Sequence, residues 1–269
     1  MKKVNRLQWA LVVSGLAMGF SLSVQAAGEH EKGDFFLKGR LMGVVPDSSS
    51  DPFTALGVTG TVELEPASAP IDAMAINFAA SYFFTDHLAL EFSIDTDYQM
   101  VVNATGDFTV PLNAAQGSTA VADVRFISPT LFAQYHIAPS YWIDPYVGVG
   151  VHYSYPFRDT ATKTITDAYD AYQVFLDLDS VFSWGLQAGA DVYLGKDWIM
   201  GQEWYGNIDA RYLDSTTTFA IVPFGNQFST AVKDENGYYG AGVGYYGPYS
   251  IGDVQINPMV YSMGIGTRF

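Results

Sequence analysis

Tyr261-Ser262-Met263-Gly264-Ile265-Gly266-Thr267-Arg268-Phe269 closes the chain. In an extended strand Tyr261, Met263, Ile265, Thr267 and Phe269 share one face, and Ser262, Gly264, Gly266 and Arg268 share the other. The alternation is strict and stops on an aromatic residue. At the opposite end Lys2, Lys3 and Arg6 precede an apolar run from Leu7 to Val24, which closes in Val24-Gln25-Ala26, the small-x-small pattern of signal-peptidase cleavage. Gln8, Ser14, Gly15 and Gly19 interrupt that run, and it is short against the roughly 20 residues of a spanning helix. Residues 1–26 therefore read as a cleaved signal peptide and 27–269 as one mature domain. An exported chain with such a terminal strand points to the Gram-negative outer membrane.

Composition narrows the classes further. Without residues 1–26 the three basic residues of the leader are gone, leaving 10 Lys and Arg against 28 Asp and Glu, a formal charge of −18. Such a surface repels nucleic acid, which binds through Lys and Arg. There is no cysteine, so disulfides, thiolate metal sites and thiol nucleophiles are excluded. Hydrophobic residues make up 49% and aromatics 15%, yet the mature chain has no continuous apolar run of membrane-helix length. Alternating strands carry that much apolar surface without a run. Only a closed barrel can turn it toward lipid, because an open edge would leave backbone groups unpaired in hydrocarbon.

Eight alternating segments are legible, over about 34–45, 72–84, 88–102, 123–137, 145–157, 181–194, 198–212 and 254–269. The third is the clearest, with Leu88, Leu90, Phe92 and Ile94 set against Ala89, Glu91, Ser93 and Asp95. Joins at 85–87, 138–144 and 195–197 are short, while those at 46–70, 103–122, 159–180 and 213–253 are long. Short periplasmic turns and long external loops are the mark of an outer-membrane barrel. An even strand number puts both termini on the periplasmic side, where Asp34 and Phe269 close the seam. A soluble β-sandwich would explain neither this asymmetry nor the aromatic residues near strand ends, such as Tyr82, Phe84, Trp142, Trp198 and Phe269. The predicted fold is an all-β, eight-stranded antiparallel transmembrane barrel.

Four motifs in order carry a resemblance: Gly33-Asp34-Phe35-Phe36-Leu37-Lys38-Gly39, Pro129-Thr130-Leu131-Phe132-Ala133-Gln134-Tyr135, Pro145-Tyr146-Val147-Gly148-Val149-Gly150, and the terminal Arg268-Phe269. Together they resemble the OmpW family of small outer-membrane barrels across nearly the whole mature chain. Gly237 to Pro248, in the long last loop, aligns with no family motif. The resemblance implies a narrow, partly hydrophobic, passive channel that takes small hydrophobic molecules from outside and releases them sideways into the membrane.

An eight-stranded barrel has room for side chains or one small ligand, which excludes a wide aqueous pore. Inward positions expected to line a channel are Phe36, Met42, Val44, Phe132 and Tyr205. Lys38, Arg40, Glu91, Asp95, Gln134, Glu203, Asp209 and Arg211 are expected to form a polar network in the lumen. Proline cannot donate to a ladder, so Pro129 and Pro156, at similar height on adjacent strands with Pro129 opposite Tyr153, mark a candidate lateral opening. The alternative function is a structural, adhesin or receptor barrel with a plugged lumen, working through its loops. Acidic loops read first as solvated surface, although Asp47, Asp51, Glu63 and Glu65 would let divalent ions bridge to lipopolysaccharide.

The remaining signals are weaker. Thr164 to Leu176 carries Ile165, Ala168, Tyr169, Tyr172 and Phe175 at helical spacing, predicting a short amphipathic helix over the mouth, capped by Thr164 or Thr166. His30, His87, His136 and His152 lie on separate segments without ligand spacing, so neither metal nor cofactor is expected. His152 and Ser154 share a face, but without an acid or oxyanion donors they make no triad, and the chain reads as a non-enzyme. Expected partners are outer-membrane lipid, lipopolysaccharide, small hydrophobic molecules and the barrel assembly machinery of that membrane.

Overall fold

A computed structural model describes residues 30–55, 58–67, 74–106, 118–139, 141–168, 173–196, 201–224, 232–233, 239–240 and 250–269. The leader expected over 1–26 lies outside them, as do Trp198 and the Gly-Tyr segment over 241–248.

Strand β1 (Phe35–Val45) is followed by β2 (Ser48–Ser50), β3 (Phe53–Ala55) and β4 (Val58–Pro66). Next come β5 (Met74–Phe83), β6 (Leu88–Gly106), β7 (Ser118–His136) and β8 (Ile143–Ala161). The helix α1 (Lys163–Ala168) leads to β9 (Gln173–Leu178), β10 (Val181–Lys196) and β11 (Glu203–Phe224). The pair β12 (Val232–Lys233) and β13 (Tyr239–Gly240) precedes β14 (Ser250–Ile256) and β15 (Met259–Arg268). Strands β1, β5, β6, β7, β8, β10, β11 and β15 form a closed antiparallel ring, β15 pairing with β1 from Phe36 opposite Arg268 to Val45 opposite Met259. The seam is tied below by Phe269 N–H to Phe35 C=O at 2.8 Å and by an Arg268–Asp34 ion pair at 3.1 Å.

Period two does the sorting. Along β1 exposure alternates residue by residue, with Phe35, Leu37 and Leu41 facing out and Phe36, Lys38, Arg40 and Met42 buried in the lumen. From Ile137, just past the end of β7, the outward apolar band runs through Tyr135 and Leu131 to Ile127. Those eleven residues match the span of a tilted transmembrane strand. Tyr82, Phe84, Trp142 and Phe269 surround the lower rim, and Tyr155, Phe157 and Phe182 the upper, at the two levels where aromatic girdles sit.

The long loops differ from the expectation. Much of them is β-structure above the membrane: β6 continues to Gly106, β7 starts at Ser118, β8 continues to Ala161 and β11 to Phe224. β4 pairs with the upper part of β6, while β9 and β14 pair with that of β11. β2 pairs with β14 by backbone and reaches β4 through Ser48 and Ser50 hydroxyls. The segment expected as one strand over 254–269 is interrupted at Asn257-Pro258, where proline has no N–H to give the ladder, but β14 and β15 keep one register along β11, Ile256 opposite Ser215 and Met259 opposite Tyr212. The expected helix is also shorter: α1 ends at Ala168 and β9 occupies Gln173–Leu178, since pairing along β11 outweighs a short helix's marginal stability. Thr162, whose carbonyl accepts from the Thr166 N–H and hydroxyl, starts that helix, in place of Thr164 or Thr166.

Candidate functional site

Inward side chains recur about every 7 Å along a strand, so each strand samples the lumen at successive heights. β1 alone crosses three tiers: Phe36 at the periplasmic end, then Lys38 and Arg40, then Met42 and Val44. β6 repeats the order with Ala89, then Glu91 and Asp95, then Tyr98, Met100 and Val102.

The middle tier is a buried charge network. Arg40 Nη2 donates to Glu91 Oε1 at 2.6 Å, and Lys38 Nζ to Asp191 Oδ2 at 2.9 Å. Arg211 Nε lies 2.8 Å from Asp209 Oδ1, with Glu91 at 3.6 Å and Asp95 at 3.7 Å from its terminal nitrogens. Amides and hydroxyls fill the gaps: Gln134 donates to Gln187 at 3.0 Å, Gln187 to Asp209 at 2.7 Å, and Tyr146 to Asp209 at 3.1 Å. Asp191, Gln187 and Tyr146 were not singled out from sequence, although period two places them inward. Glu203 does not join this tier; it sits at the periplasmic rim, paired with Arg268 and accepting from Tyr205.

Above lies an apolar tier. Met42, Val44, Tyr98, Met100, Phe126 and Val260 surround a narrow cavity of ≈ 30 Å³, with Asp95, His152 and Ser154 at its foot. That volume holds about one or two waters. Phe132 lies at the boundary, its ring 5.9 Å from the Arg211 guanidinium below. It lies flat against the wall because Gly150 and Gly185 leave room: a Cβ on Gly150 would fall 2.7 Å from Phe132 Cγ, and one on Gly185 3.2 Å from its Cζ.

The lowest tier is aromatic. Phe36 and Tyr205, grouped with Met42, Val44 and Phe132 in the sequence, lie here at the periplasmic end, with ring centroids 5.0 Å apart. His30 stacks on Phe83 at 4.7 Å. Asp144 Oδ2 accepts from both His30 Nε2 at 2.9 Å and His136 Nδ1 at 2.5 Å.

In the wall, the β7–β8 ladder runs from His136 opposite Tyr146 to Thr130 opposite His152 and resumes at Ile127 opposite Tyr155. Ser128 and Pro129 are skipped, Phe126 meets Pro156 in the same register, and the register shifts just beyond, where Arg125 meets Arg158. Inside the break the Ser128 and Ser154 hydroxyls lie 3.2 Å apart. Outside it Ile127, Leu131, Tyr153 and Tyr155 face the lipid. Ser154 is thus engaged with Ser128, and His152 Nδ1 is buried without a partner.

The sequence profile of the OmpW family matches residues 31–269. Outer membrane protein W of Vibrio cholerae is 24% identical over 262 residues, covering 96% of this chain and 98% of that protein. Outer membrane protein W of Escherichia coli is 27% identical over 205 residues, covering 74% and 84%. Among solved structures, the outer membrane protein OprG from Pseudomonas aeruginosa superposes with a TM-score of 0.65 at 21% identity, over 89% of this chain and 97% of its own. Outer membrane protein AlkL superposes with a TM-score of 0.55 at 18% identity, over 94% and 97%. These likenesses establish the shared barrel and its place in the outer membrane.

Proposed function

Because this chain belongs to the OmpW family of outer-membrane barrels, we propose that it is a passive conduit which takes small hydrophobic molecules into the apolar outer tier and releases them sideways into the membrane. The order of the tiers carries this reading: an apolar chamber faces outward and rests on a charged floor. A hydrophobic solute gains about 25 cal/mol for each Å² of apolar surface it buries in the chamber. Among the ion pairs of the floor it would forfeit that gain and separate charges as well.

The easier exit is the wall between Pro129 and Pro156. There the ladder already lacks two residue pairs, Pro129 has no N–H to give up, and the outward neighbours are apolar. A cavity of ≈ 30 Å³ admits no such solute as it stands, so entry requires the apolar side chains to part. Lipopolysaccharide around the upper rim and the barrel assembly machinery during insertion are the further partners of this reading.

The chain has no cysteine, so a S128C/S154C pair would be its only thiols, placed where two hydroxyls already meet. Cells carrying the protein should take up a small alkane faster than cells without it, and oxidation of the cysteine pair should return uptake to background until dithiothreitol reverses it. Conductance in a planar bilayer should stay low throughout. Uptake indifferent to the protein would sink the conduit and favour a plugged barrel acting through its loops; uptake that persists through the oxidised seam would remove the lateral exit alone.

A further inference from the structure

We propose that His30, His136 and Asp144 form a binding site for a divalent late first-row cation, zinc by the chemistry of the donors, that staples the segment before β1 across the periplasmic mouth. The three residues come from three places: His30 from ahead of β1, His136 from the end of β7 and Asp144 from the start of β8. Their donor atoms lie within 4.8 Å of one another, and all three side chains are buried. Two imidazoles and a carboxylate are a borderline-soft set that suits zinc over calcium or magnesium.

The hydrogen bonding without a cation is poorly balanced. Both rings use their proximal nitrogens on one oxygen, Asp144 Oδ2, so the distal nitrogens, His30 Nδ1 and His136 Nε2, are left to find partners of their own. Neither of these buried atoms has a hydrogen-bond partner. The ring neighbours of His30 are Phe36, edge-on at 68°, Phe83, stacked at 22°, and Tyr205, and those of His136 are Phe83 and Tyr146. A bound cation reverses this: the proximal lone pairs go to the metal, and each distal nitrogen carries an N–H that an aromatic face can accept.

Geometry asks little of the change. In a tetrahedral site with ligands at about 2.0–2.2 Å, neighbouring donors lie roughly 3.4 Å apart. The present Nε2–Oδ2 and Nδ1–Oδ2 separations of 2.9 and 2.5 Å need widen by less than an ångström. Asp144 is also braced as a metal-binding carboxylate should be, its second oxygen accepting from Ala138 N–H at 3.0 Å. Among the described residues its ion-pair partners are these two histidines alone, with no lysine or arginine competing for it.

The test uses the mature barrel refolded in detergent micelles and stripped with a chelator. Calorimetric titration should show one zinc ion per barrel, and cobalt(II) should give visible d–d bands that zinc abolishes. Zinc should also raise Tm, since it binds the folded state. His30→Ala, which lies ahead of the barrel wall, and Asp144→Asn should each weaken binding by about tenfold or more. No uptake of zinc or cobalt by the wild type would overturn the site. So would binding undiminished in both variants, which would assign the ion to the acidic surface.

Discussion

The middle and outer tiers of the lumen are built by the same strands and are equally buried, yet they hold together in opposite ways. In the middle, three cations (Lys38, Arg40, Arg211) meet four carboxylates (Glu91, Asp95, Asp191, Asp209) drawn from β1, β6, β10 and β11. Each pair is directional and fully desolvated, so no single side chain can move without stranding a charge. In the outer tier Met42, Val44, Met100, Val124, Phe126 and Val260 make contacts without direction. Parting them to admit another apolar molecule exchanges one set of dispersion contacts for another at small cost. One tier is built to stay shut and the other to yield.

Breaking the floor should have the largest effect. Glu91 lies 2.6 Å from Arg40 and 3.6 Å from both Lys38 and Arg211, and it accepts from Ser81 at 3.1 Å. Glu91→Leu removes the anion that three cations share, leaving Arg40 with Asp209 at 3.7 Å as its remaining ion-pair partner. The expected loss is about 3–5 kcal/mol, read by urea unfolding in lipid vesicles, together with new ion conductance in planar bilayers. A variant as stable and as tight as the wild type would reduce the network to filler.

How much of this contrast could be read beforehand follows from what period two encodes. It told which residues face inward, because lipid outside leaves no other place for Lys38 or Asp209. It carried no height. Whether an inward residue meets charges or alkyl groups depends on how the strands are staggered, which only the pairing register gives. Phe36 and Tyr205 therefore looked like Met42 and Phe132 in sequence, although they lie on the opposite side of the charged tier. Above the membrane the strands no longer need an apolar outward face, so 103–106 of β6, 118–122 of β7 and 158–161 of β8 fall outside the alternating segments and read as loop. The His30, His136 and Asp144 cluster was invisible for a related reason. Its members are joined by barrel closure and the turn before β8, and no fixed chain spacing announces that.

The boundary between the tiers can be sharpened with one methyl group. In Gly150→Ala the new Cβ would stand 2.2 Å from Leu131 O and 2.7 Å from Phe132 Cγ, far inside van der Waals contact. Because the obstructing atom is partly backbone, the wall itself must move. The expected destabilisation is about 3 kcal/mol, the upper part of the usual overpacking range, measured by the same unfolding assay. A loss below about 1 kcal/mol would mean that Phe132 swings freely into the chamber and that the floor has no firm upper surface.

The smallest effect comes from exchanging chemistry without changing shape, in opposite directions in the two tiers. Val124 is wholly buried in the apolar tier, and Val124→Thr brings a hydroxyl into that hydrophobic cluster. Its cost should be about 1 kcal/mol, the low end for an uncompensated buried hydroxyl. On the proposed route through this tier, alkane uptake should fall severalfold. Thr130, nearer the floor, already buries a hydroxyl with no partner. Thr130→Val removes that unpaired group and should leave stability unchanged or slightly raised. Equal costs for the two exchanges would mean that the tiers share one polarity, and the difference on which the sideways route depends would be gone.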